Sequence, residues 1–233
     1  MRLHIAPGHD DVYDRAMGRM LVVVIMVAAC GGDDAGQLPD APVPDAPGCP
    51  KRWDVTAAGG TAAIGGGSLT LTAPSIPSGI AVQVVQTGLT GDFTATFNVT
   101  GFVAGGTGAY LQAVVSADVA SPTAFFSAAI GTSPVVGVSA AQQPGTADLQ
   151  PTTATATMLR FTRTGTSLTA TATAGSTTAT ATGTEAASPL RIGLQLGTNG
   201  GAVSAPTTVT ITELTLTGTG ASADAFDCDS LRP

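Results

Sequence analysis

The chain is poor in the side chains that carry out chemistry. Of its 233 residues, 4% are aromatic and 11% are charged, and the only histidines are His4 and His9. We expect that N-terminal segment to be removed, which excludes a serine–histidine mechanism from the mature protein. The carboxylates are scattered, and Asp92, Asp118 and Asp148 each stand without an acidic neighbour. The sequence therefore predicts no catalytic residue, no metal site and no cofactor.

Positive charge is equally sparse. Residues 49–233 hold six basic side chains: Lys51, Arg52, Arg160, Arg163, Arg191 and Arg232. The whole chain has a formal net charge of −7. Because no basic patch is available to neutralise phosphates, we expect no nucleic-acid partner. Recognition of anionic lipid by charge is disfavoured for the same reason.

The chain lacks an apolar run long enough to cross a membrane. The run over residues 21–29 is about ten residues long, whereas a bilayer-spanning helix needs roughly 20. Small residues close it at Cys30, which is typical of a secretory signal. Residues 27–30, Val-Ala-Ala-Cys, resemble the lipobox of bacterial lipoproteins. The resemblance implies cleavage before Cys30 and acylation of its thiol and new amino terminus, which would anchor the chain to a membrane. The alternative is an ordinary secretory peptide with an incidental cysteine.

The boundaries of the signal follow from this reading. Residues 1–29 are assigned to the signal peptide. Three aspartates near its start are unusual for export, so the true start is expected at Met17 or Met20. Residues 30–48 form a linker in which a Pro-Asp-Ala-Pro unit occurs twice, a composition typical of an extended, hydrated spacer. Because Gly31 rather than aspartate follows the lipid site, we expect a cell-envelope location at the outer rather than the inner membrane.

Two further cysteines, Cys49 and Cys228, flank nearly all of the remaining chain. Export places them in an oxidising compartment, so we expect a disulfide. It would hold the two ends of a domain spanning residues 49–233 within about 7 Å, Cα to Cα. Two free thiols or a metal site are the alternatives, and two cysteines without a nearby histidine make a poor zinc site.

From Trp53 onward the sequence predicts strands. Apolar and polar residues alternate with a period of two, no window keeps a helical period, and glycine-rich turns separate the segments. The predicted strands cover residues 68–72, 80–86, 93–100, 110–117, 124–130, 135–140, 155–163, 167–173, 177–182, 190–196 and 209–216. So many short strands favour an all-β, two-sheet antiparallel sandwich. The parity changes between Ile211 and Leu214, which predicts a β-bulge near Thr212 and Glu213 or burial on both faces.

Three segments resemble the concanavalin A-like lectin and laminin G-like sandwiches. Residues 89–97 look like an early strand of that group, residues 159–169 are similar to one of its hairpins, and residues 209–216 look like its closing strand. The resemblance spans roughly residues 53–218 and implies a jelly roll of two facing sheets. Its activities do not follow, since this chain lacks the paired glutamates of the glycosidases and the clustered loop carboxylates of calcium-dependent lectins.

Four side chains have both a structural and a functional interpretation. Trp53 could stack on a sugar, but its place beside Cys49 favours the core. Tyr110 could line a groove, although a half-buried strand residue is more often structural. Arg160 and Arg163 differ in parity, so we expect them on solvated faces rather than in one patch.

Alternating threonines form a further pattern over residues 152–184. Thr169, Thr171 and Thr173 would line one face of a strand, and the threonines of residues 178–182 one face of the next. Flat threonine arrays of this kind resemble ice-binding surfaces, yet threonine is also simply a good former of exposed strands.

The sequence thus predicts a non-enzymatic cell-envelope lipoprotein displaying a β-sandwich. Its partners are a membrane, through the lipid, and a glycan or other surface polymer. The alternative is a structural lipoprotein that contacts envelope proteins without a small ligand. No ligand-binding residue is assigned at this level, and the low aromatic content argues against strong sugar stacking.

Overall fold

Fifteen β-strands occupy the part of the chain that a computed structural model describes, residues 53–117, 125–132, 137–154, 157–199, 201–218 and 231–232. The strands are β1 (Trp53–Ala57), β2 (Thr61–Gly65), β3 (Ser68–Ala73), β4 (Ile80–Leu89), β5 (Phe93–Val103), β6 (Ala109–Ser116), β7 (Phe125–Gly131), β8 (Gly137–Gln143), β9 (Ala147–Pro151), β10 (Thr157–Thr164), β11 (Ser167–Ala174), β12 (Thr177–Thr184), β13 (Leu190–Thr198), β14 (Thr207–Gly218) and β15 (Leu231–Arg232). Within the described ranges there is no helix of the length and hydropathy that a membrane span requires.

The strands form two facing sheets. The eight-stranded sheet has the order β15-β1-β4-β13-β6-β7-β8-β9, and the seven-stranded sheet has the order β12-β11-β10-β5-β14-β3-β2. Neighbours are antiparallel except for β1 and β15, which run parallel with Trp53 opposite Leu231. The predicted all-β antiparallel sandwich is therefore confirmed.

Alternation along each strand fixes which face is buried. Phe93, Ala95, Phe97 and Val99 of β5 all point into the space between the sheets and are buried. Leu190, Ile192, Leu194 and Leu196 do the same on β13. Burying one parity of every strand against the opposite sheet is what stabilises a sandwich of this kind.

Glycines at positive φ close the tight hairpins, as the turn pattern predicted. Gly66 and Gly67 join β2 to β3, and Gly165 and Gly175 begin the two-residue turns of the β10–β11 and β11–β12 hairpins. These turns set the register of β10, β11 and β12. In β11 and β12, threonines on one face alternate mainly with alanines on the other.

The predicted β-bulge is confirmed on β14. Its pairing with β5 shifts register between Thr210 and Ile211 and again between Ile211 and Glu213. The shift keeps Ile211, Leu214 and Leu216 all on the buried face, so burial on both faces is not needed to explain the change of parity.

Four strands were not predicted: β1, β2, β9 and β15. They are five residues long or shorter, and all lie at or next to a sheet edge. Edge strands bury little of either face, so their sequences lack clear alternation. At other strands only the bounds differ, and residues 124, 135, 136, 155 and 156 lie outside the described residues.

The two sheets approach closely where β8 and β9 face β11 and β12. The inward side chains here are small, since Ala170, Ala172, Ala179 and Ala181 are all buried. One carboxylate oxygen of Asp148, on β9, accepts a hydrogen bond from the backbone N–H of Thr180 at 2.9 Å. That contact satisfies a donor on the open edge of β12 and joins the edges of the two sheets.

Candidate functional site

The predicted lipid and disulfide positions cannot be placed. Cys30, Cys49 and Cys228 lie outside the described residues, as does Asp118. Their assignments stay predictions. The parallel pairing of β1 with β15 shows only that the described chain ends meet at one sheet edge.

Trp53 belongs to the core, as the structural interpretation predicted. Its side chain is 1% exposed and packs in the main apolar cluster between the sheets. A sugar-stacking platform at this position is excluded by its burial.

The two arginines of β10 lie on opposite faces. Arg160 is exposed, and its Nε donates to Thr96 Oγ1 at 3.2 Å. Arg163 is 6% exposed, so the prediction of a solvated side chain was wrong for it. Its guanidinium donates to the carbonyl oxygens of Gly165 at 2.9 Å and Glu185 at 3.3 Å. These backbone acceptors offset part of the cost of burying the cation, while its Nη1 nitrogen is buried without a partner among the described residues.

Three of the described carboxylates accept hydrogen bonds from the backbone or from neighbouring side chains. Asp92 accepts the N–H of Gly165 at 2.7 Å, and Glu185 accepts the N–H of Ala187 at 2.8 Å. Glu213 accepts from Asn98 at 2.8 Å and from Thr215 at 2.9 Å. Among the described residues, no three histidine, cysteine or acidic side chains are grouped as a metal site requires.

An open depression of about 650 Å³ lies between residues 151–154 and 174–177. Its lining is backbone, methyl groups and hydroxyls: Pro151, Thr152, Thr153, Ala154, Ala174, Gly175, Ser176 and Thr177. Nothing in this lining can be ionised at neutral pH. It therefore offers a ligand little specificity, and the candidate site is placed elsewhere.

The outer face of the eight-stranded sheet carries a row of three glutamines. Gln83 on β4 pairs with Gln195 on β13, and Gln195 pairs with Gln112 on β6. Adjacent strands lie about 4.8 Å apart, so the row is roughly 10 Å long. We call this region the glutamine face, and define it by these three residues with Tyr110 and Ser116, which share the outward parity of Gln112 on β6.

The glutamine face is only partly open to solvent although it points away from the other sheet, since Gln83, Gln112 and Tyr110 are half-buried. Gln195 is 7% exposed, Val114 is 2% exposed and Ser116 is completely buried. The Gln83 amide nitrogen and the Ser116 hydroxyl are buried and have no hydrogen-bond partner among the described residues. Buried polar groups are normally paired, so these two are available to groups supplied by a ligand or by water.

Tyr110 borders the row on β6. Gly197 lies opposite it on β13 and Gly131 on β7. A β-carbon at Gly197 would stand 2.6 Å from the phenolic oxygen, and one at Gly131 would stand 3.2 Å from the tyrosine β-carbon. The phenolic end of the ring therefore packs against the backbone of Gly197, and the base of the side chain packs against Gly131. Burial raises the pKa of Tyr110 to about 12, so at neutral pH the phenol keeps its proton and remains a hydrogen-bond donor.

The chemistry of the glutamine face is neutral and suited to hydrogen bonding. Amides both donate and accept, and the phenol and serine hydroxyls can do either. Arg191 lies beside Ser116 on the same face, and Asp54 stands at its β1 margin. The face can bind a hydroxyl-rich ligand, and it presents no histidine.

Sequence reasoning did not assign the three glutamines. Their outward parity could be read from the alternation of each strand. What could not be read was that β4, β13 and β6 are neighbours, since they are far apart in the chain and their pairing depends on the folded topology. Tyr110 was identified as a possible groove residue, and the structure places it on the same face.

Comparison with known proteins shows a shared fold only. No protein-family model matches the chain, and no curated protein matches it. A functionally unknown protein from Saccharomyces cerevisiae superposes with a TM-score of 0.55 at 16% identity, covering 72% of this chain and 96% of that one.

Two further solved structures are similar at lower scores. A legume lectin-like domain from Entamoeba histolytica gives a TM-score of 0.48 at 13% identity, over 72% of this chain and 91% of that one. An alginate lyase from Klebsiella pneumoniae gives a TM-score of 0.47 at 13% identity, over 71% of this chain and 87% of that one. At such identities the likeness is one of architecture only: the chain is a two-sheet β-sandwich.

Proposed function

We propose that this protein is a non-catalytic, lipid-anchored module of the cell envelope that binds a polysaccharide on the glutamine face. The observation that carries the proposal is the row of Gln83, Gln195 and Gln112 across three adjacent strands. Three amides in line, with a row length of roughly 10 Å, match the repeated hydroxyls of a sugar chain lying across the strands.

Two features supply affinity and orientation. The Gln83 amide nitrogen and the Ser116 hydroxyl are buried without a partner among the described residues, so a ligand group that reaches them adds hydrogen bonds at sites where their absence is costly. Tyr110 adds an aromatic surface and a neutral donor at one end of the row, and such amphipathic rings favour carbohydrate contacts.

The absence of catalysis is part of the proposal. Cleaving or eliminating across a glycosidic bond needs a group that accepts a proton near working pH. The pKa of Tyr110 near 12 opposes that role, and the described glutamates lie elsewhere: Glu185 follows β12, and Glu213 is exposed on β14. Binding without turnover is what the remaining amides and hydroxyls support.

The alternative is a structural lipoprotein that contacts envelope proteins. Stable protein interfaces normally present a clustered apolar core. Within the described ranges, the large apolar side chain exposed to solvent is Val103, at 66%. A single such residue makes no patch, which favours the polysaccharide over a protein partner.

A thermal-shift screen of the mature chain against neutral and acidic polysaccharides and cell-wall fragments tests the binding proposal. A ligand that binds only the folded state stabilises it by about 2.7 kcal/mol at a hundredfold excess over its Kd. The double variant Gln112→Ala/Gln195→Ala should lose the shift, whereas Gln150→Ala, a partly buried glutamine on edge strand β9, should keep it. A cooperative melt that no polymer moves would favour the structural alternative.

The lipid anchor is tested separately. Cell fractionation of the full-length chain should place it with the membranes, and Cys30→Ala should release it. Recovery of Cys30→Ala in the membrane fraction at the level of the native chain would contradict the anchor without touching the binding proposal.

A further inference from the structure

The outer face of the seven-stranded sheet carries a two-dimensional array of threonines. On β11 and β12 the cross-strand pairs are Thr169 with Thr182, Thr171 with Thr180, and Thr173 with Thr178. We call these six residues the threonine face. The first pair continues onto further strands through Thr162, Thr94 and Thr217, so five threonines from five adjacent strands stand in one row.

The spacing of the array is set by sheet geometry. Threonines in one row lie about 4.8 Å apart, and rows are separated by two residues of strand, about 6.7 Å. The hydroxyls of Thr169 and Thr182 are 3.0 Å apart, and those of Thr173 and Thr178 are 3.2 Å apart. Because threonine is stiff at χ1, each hydroxyl and methyl group is held in a fixed direction.

The six side chains of the threonine face are themselves uncharged, and those on β12 are open to solvent. Thr178, Thr180 and Thr182 are exposed. The nearest cation on the same face is Arg160, opposite Thr171, and its Nε bonds to Thr96 on β5, on the side away from β11. No aromatic ring stands among the six positions, so the sugar stacking that aromatics provide is not available here.

The repetition indicates the class of ligand. A soluble molecule is recognised by a few unlike groups, whereas identical groups on a lattice match a ligand that is itself periodic. Ice presents such a lattice of donor and acceptor oxygens. The right-handed twist of the sheet limits a regular array to a few neighbouring strands. The β11–β12 pair, with Thr162 beside it on β10, is therefore the region expected to contact a periodic ligand.

We propose that the threonine face binds ice. Its hydroxyls and methyl groups hold an ordered layer of water that merges with the ice surface. This binding uses the opposite side of the sandwich from the glutamine face and does not depend on it.

Ice-recrystallisation inhibition by the purified mature chain tests the proposal. Thr180→Lys and Thr182→Lys each place a charged, flexible side chain in the array at an exposed position, and both should raise the inhibitory concentration at least tenfold. Thr70→Lys is the matched control, because Thr70 shares the outer face on β3 but pairs with Thr210 and Ala63 outside the array. It should inhibit like the native chain. Thermal melting of all variants checks that they are folded.

Three outcomes would overturn the proposal. The folded native chain could fail to inhibit recrystallisation, or Thr70→Lys could lose activity as strongly as Thr180→Lys. The third is sedimentation with an insoluble polysaccharide, lost in Thr180→Lys, without any effect on ice, which would assign the face to a crystalline glycan instead.

Discussion

The phenolic oxygen of Tyr110 lies so close to Gly197 on the neighbouring strand that a β-carbon there would stand 2.6 Å from it. The carbonyl oxygen of Gly79 would be 2.7 Å from the same β-carbon. The tyrosine and the backbone together fill the space that a side chain would take. The position of the ring on the glutamine face therefore depends on a glycine in β13.

Gly197→Ala is expected to displace Tyr110 and to lower the free energy of unfolding by about 1–3 kcal/mol, because overpacking forces the surrounding atoms to move. Chemical denaturation measures the change. Gly65→Ala is the control, since a β-carbon at Gly65 meets no atom within 4 Å, and it should change stability by no more than about 0.5 kcal/mol. Equal effects of the two substitutions would contradict the close approach.

Arg163→Ala is expected to lower the free energy of unfolding by about 2–3 kcal/mol, because it removes a buried side chain together with its charged hydrogen bonds to the carbonyl oxygens of Gly165 and Glu185. Arg160→Ala on the same strand removes an exposed side chain and should cost about 0.5 kcal/mol. Urea unfolding of the two variants measures the difference. An Arg160→Ala variant as unstable as Arg163→Ala would refute the assignment of faces.

Arg163 also shows where sequence reasoning ends. The alternation of β10 places Leu159, Phe161 and Arg163 on one face, and the parity alone marks that face as buried. The charge of Arg163 had favoured a solvent-exposed position. The side chain is buried instead because the hairpin turn and the residue after β12 each supply a carbonyl acceptor to it. Gly165 lies only two residues beyond Arg163, but the Glu185 carbonyl follows the next hairpin, and its approach to Arg163 cannot be inferred from the strand itself.

The same limit explains how the candidate site was missed. The sandwich, the buried parity of β5 and β13, and the bulge in β14 follow from local alternation and from turn residues. Gln83, Gln112 and Gln195 become neighbours only through the order β4-β13-β6, a long-range pairing that local patterns do not encode.

The titration of Tyr110 should be displaced to high pH. Tyr13 lies in the expected signal peptide, so the mature chain has Tyr110 as its single tyrosine. Phenolate absorbance should show a pKa of about 12, and a value near 10 would contradict the burial of the ring.

The same shift predicts a pH dependence of stability. The pKa is higher in the folded protein than in the unfolded chain, so the unfolded chain loses the phenolic proton first as pH rises. The contribution of the neutral phenol is present in full below about pH 10 and is lost towards about pH 12, by about 2–3 kcal/mol. Tyr110→Phe should lack this component when stability is measured across the range.

The predicted disulfide makes its own test possible. Cys49 precedes Trp53 by four residues and Cys228 precedes Leu231 by three, and Trp53 pairs in parallel with Leu231. We expect Cys30→Ala, purified from an oxidising compartment, to show no free thiol until it is reduced. Reduction should lower the free energy of unfolding by up to about 5 kcal/mol, the loop-entropy figure for a ring of this size. Two titratable thiols in the native protein would contradict the pairing.

The most direct test of the account is to map where a polysaccharide touches the protein. Backbone amide chemical shifts of the mature chain are recorded during titration with the polymer that gives the largest thermal shift. We predict that the perturbed amides cluster on β4, β13 and β6 around Gln83, Gln195 and Gln112, and that Gln112→Ala/Gln195→Ala abolishes them. Perturbations confined to the loops or to β10–β12, with the glutamine face unchanged, would contradict the central claim.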